Sequence, residues 1–402
     1  MSWKIQAVID QREEFVTLAR GGTTSMVKLC QRFGISRKTG YKWLGRFAAG
    51  GLAALANVVP ARRRTANQTV RALEAKVVAL RRAQPTWGPR KLRRRLQDTG
   101  QAAVPAVSTC ARILARAHLV ARVRPAPQPC LRFSRAEPNQ LWQMDFKGHF
   151  ALQRGGRCHP FTVLDDCSRY ALGLQACGNE QACTVQSRLQ QLFQRYGLPE
   201  ELLCDNGAPW AGPHGTHTTL TVWLLRLGVR VLHGRPRHPQ TQGKEERFHR
   251  TLKTDLLARH DWRDLPQAQA RFDRYRRLYN HDRPHEALAL AVPASHYRPS
   301  SRSWPARLPP IEYDHATIVR VVKGRGDVMF RNRCYQVGEA FAGLLVALLP
   351  TATDGLFRLA FQAHTLGLVD LRTPCDRPKN HTYPLLPPPG KVSPSTRNTC
   401  YP

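Results

Sequence analysis

Acidic residues are what this chain of 402 residues is short of: 28 Asp and Glu stand against 62 Lys and Arg, a formal net charge of +34. An excess of that size goes beyond what solubility needs and matches a polyanionic partner. Long apolar runs are also missing. The longest uncharged one, Phe341 to Leu349, falls far short of the roughly 20 residues that a membrane-spanning helix needs. Nucleic acid is therefore the expected partner, and a membrane is not. The opening stretch, MSWKIQAVIDQREEF, puts charges where a secretory signal needs an apolar segment, so a cytoplasmic location is expected. No Cys-x-x-Cys pair occurs among the 11 cysteines, which argues against zinc knuckles and against a disulfide framework. Most of them read as small core residues.

What is present falls into blocks, and the first is helical. In residues 1–60 two helical patterns flank a short break: Val27, Leu29, Cys30 and Phe33 form an apolar stripe, and GISRKTGYKWL follows. Gly34 is placed to turn the chain and Ser36 to cap the second helix. Arg37, Lys38, Tyr41 and Lys42 then lie on a helix able to enter a major groove, a helix-turn-helix DNA-binding pattern. A basic linker, PARRRTANQ, leads into a second helical DNA-binding domain over residues 61–121. There Leu92 and Leu96 make an apolar stripe flanked by Arg90, Lys91, Arg93, Arg94 and Arg95, with Arg90 and Lys91 as the expected DNA contacts. Ser108 or Thr109 is placed to cap the helix after it. Residues 122–139, rich in Pro and Arg with no regular period, read as a linker and a domain boundary.

Residues 140–300 change to the order β-β-β-α-β-α-β-α, an α/β core in which helices cover a mixed sheet. Residues 301–371 are β-rich (TIVRVV, VMFRNRCYQV, GLLVALLP, FRLAF) and fit a small β-barrel, and residues 372–402 fit a disordered tail. The expected fold class is thus multi-domain: all-α helix-turn-helix units, an α/β core and a β-barrel.

Three acids of the core stand where a site belongs. Strand alternation in LWQMDFKGHF puts Asp145 on the less apolar face, opposite Trp142, Met144 and Phe146. Asp205 follows the apolar run LLC and precedes Asn206 and Gly207, so a carboxylate is delivered at a strand end. The third is a choice between Glu245 and Glu246. At about 100° per residue Glu245 falls in line with Leu252 on the apolar stripe, whereas Glu246 shares a face with Arg250 and Lys253, and Glu246 is preferred. Carboxylates are hard oxygen ligands, so Mg²⁺ or Mn²⁺, as two ions, is the expected cofactor, and no small organic cofactor is expected. Asp165 and Asp166 read as turn formers. His281 and His285 have zinc spacing, but Pro284 breaks the helix that spacing needs; Arg283 and His285 read as structural or phosphate contacts. Tyr275 and Tyr279 read as core residues rather than nucleophiles.

Five ordered segments, LWQMDFKGHF, VLDDCSRYALG, DNGAPW, HPQTQGKEERFHRTLK and YNHDRPHEAL, together resemble the catalytic core of insertion-sequence transposases of the DDE superfamily, whose core is of the retroviral-integrase type. The upstream helical segments and the C-terminal β segment resemble the corresponding parts of the same proteins. The resemblance implies a ribonuclease-H-like fold with Asp145, Asp205 and Glu246 as catalytic and metal-binding residues. It implies hydrolysis at the ends of a mobile element, followed by attack of the freed 3′-hydroxyl on target DNA, with no covalent enzyme intermediate. Lys244, Arg247, His249, Arg250 and Lys253 would then contact DNA beside the triad. Partners would be the element's terminal repeats, target DNA and further copies of the chain, at the bacterial nucleoid. The competing functions are a non-catalytic repressor or domesticated transposase, and a structure-specific nuclease without a joining step.

Overall fold

In the computed structural model, residues 5–56, 69–120, 134–212, 216–234, 243–372 and 382–387 are described. The PARRRTANQ linker, most of the 122–139 linker and most of the tail lie outside them. The chain divides into two compact units, Met1–Val70 and Arg71–Pro402.

The first unit holds α1 (Ile5–Arg20), α2 (Met26–Arg32) and α3 (Arg37–Gly50). Gly34 takes φ +62° between α2 and α3, a left-handed conformation open to glycine without a Cβ penalty. Ser36 Oγ accepts the Thr39 N–H at 3.2 Å and so caps α3 as the sequence indicates. Phe15, Val16, Leu29, Cys30, Trp43 and Leu55 are the core. Val27 departs from the expected stripe, being 47% exposed, while Met26 packs inward instead. Arg37, Lys38, Tyr41 and Lys42 are all exposed. Their helix is seated at Gly40, where a Cβ would lie 2.8 Å from both Cys30 Sγ and Phe15 Cζ. Gly40→Ala is accordingly expected to cost this unit about 1–3 kcal/mol by overpacking, read as a lowered thermal midpoint.

The second unit begins with α4 (Arg71–Ala83), α5 (Pro89–Asp98) and α6 (Val107–Arg116). Leu92 and Leu96 are buried with Val77, Trp87, Cys110, Ile113 and Leu114, as the stripe requires. Helix α6 starts behind Ala106 with no side-chain cap, so Ser108 and Thr109 sit inside its first turn.

The core follows. Its elements are β1 (Leu141–Phe146), β2 (Phe150–Ala151), β3 (Arg157–Asp165), β4 (Ala171–Cys177), α7 (Ala182–Tyr196), β5 (Glu201–Cys204), α8 (Thr219–Arg226), β6 (Arg230–His233), α9 (Gly243–Asp255) and α10 (Leu265–His281). The main strands run in the order β4-β3-β1-β5-β6, with β1 antiparallel to β3 and parallel to β5, and the short β2 pairing with β3. Trp142, Met144, Phe161 and Val163 pack against Leu189, Phe193, Leu220 and Leu224 of α7 and α8 on one face. Leu164, Ala171 and Leu174 pack against Phe248, Leu252, Phe272 and Tyr275 of α9 and α10 on the other. A five-strand mixed sheet of this order, with helices on both faces, is the ribonuclease-H-like arrangement.

Two expectations about domains change. Leu278 of α10 packs into the core of the α4–α6 block, and Arg95 of α5 pairs with Asp282 at 2.5 Å. The helical block therefore docks on the α/β core, and the division between compact units falls at Val70 and Arg71 rather than in the 122–139 linker. Beyond the core come β7 (Ile318–Val321), β8 (Asp327–Phe330), β9 (Arg333–Gln336), β10 (Leu345–Pro350), β11 (Leu356–Phe361), β12 (His364–Asp370) and β13 (Thr382–Pro384). Among the described residues these form a four-stranded and a three-stranded sheet around one apolar cluster, not one closed barrel. Strand β13 comes from the expected tail: it pairs parallel with β9 and sets Tyr383 against Tyr335, ring centroids 5.7 Å apart.

Candidate functional site

Register assembles the site. Gln143 of β1 is aligned with Leu203 of the parallel β5, and continuing two residues along both strands brings Asp145 beside Asp205 at their carboxyl ends. Asp145 is also cross-strand from Thr162 of β3. Burial, then the nearby Asp205 carboxylate, push the Asp145 carboxyl up to about 6, against the pull of the Phe146 N–H that donates to its Oδ1 at 2.8 Å. Asp205 is exposed, and its Oδ1 accepts the Gly207 N–H at 3.2 Å. A Cβ on Gly207 would sit 3.2 Å from Asp205 Oδ2, so a larger residue there would push the carboxylate aside by a few tenths of an ångström. Asn206 Nδ2 donates to the Gly234 carbonyl at 2.8 Å and ties this turn to the end of β6.

Helix α9 presents two different faces to this pair. Glu245, Phe248, His249 and Leu252 are buried, while Glu246, Arg247, Arg250 and Lys253 are exposed, which is the phase read from the sequence. Thr162 Oγ1 lies 2.9 Å from the Asp145 carbonyl, 3.2 Å from Glu245 Oε2 and 2.8 Å from His249 Nε2. Burial, with Asp145 second, pushes Glu245 well above the usual carboxylate range, and burial with Lys147 pushes His249 down to about 3. Both groups are thus biased toward their neutral forms.

Several expected contacts are placed elsewhere. Arg90, Arg247, Arg250 and Lys253 are exposed, but Lys91, Lys244 and His249 are buried or nearly so. Lys244 Nζ is bound to Asp166, and His249 faces Thr162 with its Nδ1 3.8 Å from Asp145 Oδ2. The three acids are not gathered either: among the described residues no set of three His, Cys, Asp or Glu side chains is close enough to hold one cation. What is gathered is the Asp145–Asp205 pair, a hard-oxygen donor set whose mutual repulsion a divalent cation would relieve. Glu245 Oε1 is buried with no hydrogen-bond partner, a second atom a cation would suit.

Of the groups that brace the site, Asp166 does more than the turn-forming expected of it, and Asn280 went unread in the sequence. Asp166 is fully buried, accepts from Gln143 Nε2 and the Arg135 N–H at 2.7 Å each, and pairs with Lys244 of α9. Asp165 accepts from the Asn139 N–H at 2.7 Å and the Ser168 hydroxyl at 2.6 Å, the turn role expected of it. Asn280 makes two hydrogen bonds to Ala171, 2.8 and 3.0 Å, fastening α10 to β4. Tyr275 and Tyr279 are core residues as read, and Tyr279 Oη lies 2.9 Å from His285 Nε2. Asp166→Ala would strand the Lys244 ammonium in the interior and is expected to cost about 3–5 kcal/mol, measured by urea unfolding.

Comparison with known proteins agrees with this layout. Residues 135–239 and 227–293 match the integrase core domain. Residues 11–65 match a helix-turn-helix domain and residues 39–114 a homeodomain-like domain. Residues 317–376 match the C-terminal domain of IS481 family transposases. An uncharacterized 39.2 kDa protein of insertion element IS476 from Xanthomonas euvesicatoria is 27% identical over 230 residues, 56% of this chain and 64% of its own. The chain thus spans less than two thirds of that relative. Transposase InsD for insertion element IS2A/D/F/H/I/K of Escherichia coli is 28% identical over 230 residues, 53% of this chain and 74% of its own. The catalytic core domain of BIV integrase is 25% identical, covers 39% of this chain and 92% of its own, and superposes with a TM-score of 0.30. With helix-turn-helix, integrase-core and IS481-type C-terminal domain matches following one another in that order, the chain is similar to insertion-sequence transposases with an integrase-type core.

Proposed function

We propose that this chain binds the terminal inverted repeats of a mobile element, cuts phosphodiesters at its ends and joins the freed 3′-hydroxyls to target DNA. The observation that carries the reading is the register of β1 and β5, which leads Asp145 and Asp205 to neighbouring strand ends, where the Asp205 carboxylate raises Asp145. Mg²⁺ or Mn²⁺ held by these carboxylates and one from α9, expected as two ions, would supply Lewis acidity to the scissile phosphate.

The chain's own residues do the rest. Thr162 and Phe146 fix the orientation of Asp145, and Gly207 and Asn206 fix that of Asp205. Arg247, Arg250 and Lys253, on the exposed face of α9, would lay the cleaved strand along the carboxylates by contacting its phosphates. Arg37, Lys38, Tyr41 and Lys42 on α3 would read the terminal repeat in the major groove, and Arg90 would add a phosphate contact from α5. In hydrolysis, water adds to phosphorus and the 3′-oxygen leaves with a proton. In joining, that 3′-hydroxyl attacks a target phosphodiester, one bond forming as one breaks. Holding two ends at once calls for a homo-oligomer on DNA, and the place of action would be the bacterial nucleoid.

The third carboxylate is proposed as Glu246. Glu245 is the second reading, favoured by its burial beside Asp145 and its unpartnered Oε1. The function is tested by incubating the protein with a duplex carrying the ends that flank its own gene, in Mg²⁺, in Mn²⁺ and in a chelator. Nicking at 3′ ends and strand-transfer products are expected with either metal and none with the chelator. A retarded complex without products in any condition would support a binding-only protein instead.

A further inference from the structure

Two inward cations at the junction of α5 and α10, Lys91 and Arg283, have no part in the reaction above, and the exposed Arg247 of α9 acts on the same place. Lys91, in the first turn of α5, is only 8% exposed, and its ammonium makes no hydrogen bond or ion pair among the described residues. It faces Arg283 and Arg247, with the carboxylates of Glu286 and Asp255 opposing them. Arg283 is 7% exposed; its Nε has no hydrogen-bond partner, and the Asp255 carboxylate stands 3.5 Å away, itself shared with the Tyr275 hydroxyl at 3.3 Å. After burial, the charges of Arg283, Lys91, Arg169 and Arg247 all act to lower the buried His285. Asp282, the carboxylate that follows α10, is committed to Arg95.

Burial, then Arg283 and Arg247 against the opposing Glu286 and Asp255 carboxylates, lower Lys91 to about 8, so its ammonium is held at a cost that an entering anion would relieve. The junction is rigidly built, since Leu278 packs under the helical block and Asn280 fastens α10 to the sheet. Helix α5 also begins at Gly88 with no side-chain cap, leaving first-turn N–H groups open beside Lys91. Arg247 is exposed and adjoins Glu246, so an anion entering here meets the basic face of α9 first.

We propose that Lys91, Arg247 and Arg283 form a phosphate-binding site across the α5–α10 junction, and that its occupant is a backbone phosphodiester of the DNA being processed. The identity of the occupant rests on the DNA-processing reading above; the anion site itself rests on the geometry. Such a site would couple the docked helical block to the strand lying along α9.

The test is DNA affinity against salt for Lys91→Met and for Arg247→Gln, whose exposed side chain puts folding at no risk, with thermal unfolding of each. One phosphate contact contributes a salt slope of about 0.9, so each variant should bind the element-end duplex roughly five- to tenfold more weakly at moderate salt, with a slope lower by about one. Without DNA, Lys91→Met should melt no lower than the parent. Arg37→Ala serves as the control for the reading. If it weakens binding while both junction variants keep parental affinity and slope, the phosphate site is wrong and DNA processing stands. If none of the three alters binding, the occupant is wrong along with the reading. A lower melting point for Lys91→Met would make Lys91 structural. Stabilisation of the parent by inorganic phosphate over chloride at matched ionic strength, lost in Lys91→Met without a change in DNA affinity, would assign the site to free phosphate and overturn DNA as its ligand.

Discussion

Asp145→Asn, and separately Asp205→Asn, should lower nicking and strand transfer on the order of 10³-fold while leaving the fold and DNA binding in place. The magnitude follows from what a carboxylate does at such a centre: the stabilisation of developing phosphoryl charge by a held cation amounts to several kcal/mol, and about 4 kcal/mol is three powers of ten in rate. The fold is spared for a local reason. Asn keeps the acceptor that takes the Phe146 N–H at position 145 and the acceptor that takes the Gly207 N–H at position 205. Each substitution also removes one of two charges that repel each other, the repulsion that, after burial, lifts Asp145 to about 6. A raised carboxyl pKa means that stability is lost as pH rises from the unfolded value through about 6, so above that range the neutral variants should melt no lower than the parent. Addition of Mg²⁺ should raise the melting temperature of the parent and raise that of either variant less, a readout that needs no turnover. Parental product levels in both variants would remove these carboxylates from the mechanism.

How far the sequence could be read depended on whether the deciding contacts were local. Gly34 and Ser36 were legible because a turn and a cap are written in adjacent residues, and both act as read. Asp145 and Asp205 were legible from strand alternation and a strand end, but their adjacency needed the parallel pairing of segments sixty residues apart along the chain, which periodicity does not specify. The phase of α9 was legible because Phe248 and Leu252 define a stripe, and the stripe put Glu245 inside and Glu246 outside. Lys244 and Lys91 were read as exposed because composition treats a lysine so; Lys244 is instead bound to the Asp166 carboxylate and Lys91 is 8% exposed, both through packing with segments distant in the chain. Strand β13 escaped because a Pro- and Ser-rich tail offers little to bury, and its partner β9 supplies the missing sheet.

Glu246→Gln is expected to abolish cleavage and joining to the same degree as Asp145→Asn, and Glu245→Gln to stay within about tenfold of the parent. The two residues are neighbours, yet α9 turns them into different environments. Glu245 is fully buried against Thr162 and His249, and its carboxyl already sits well above the usual range, so the neutral amide matches the state burial favours. Its replacement should leave the melting temperature near the parent's while the parent carboxyl is neutral and raise it at pH values that would ionise that carboxyl beside Asp145. Glu246 shares the exposed face of Arg250 and Lys253, where a strand held by those cations would bring its phosphate within reach. For Glu246 to complete the site, that side chain must close on the Asp145–Asp205 pair when DNA and metal arrive, since the three acids are not gathered beforehand among the described residues. Mg²⁺-induced stabilisation in the absence of DNA should therefore survive Glu246→Gln and still be diminished by Asp205→Asn. The opposite pattern, with activity and Mg²⁺ stabilisation both lost in Glu245→Gln and kept in Glu246→Gln, would assign the third ligand to Glu245 and its buried, unpartnered Oε1.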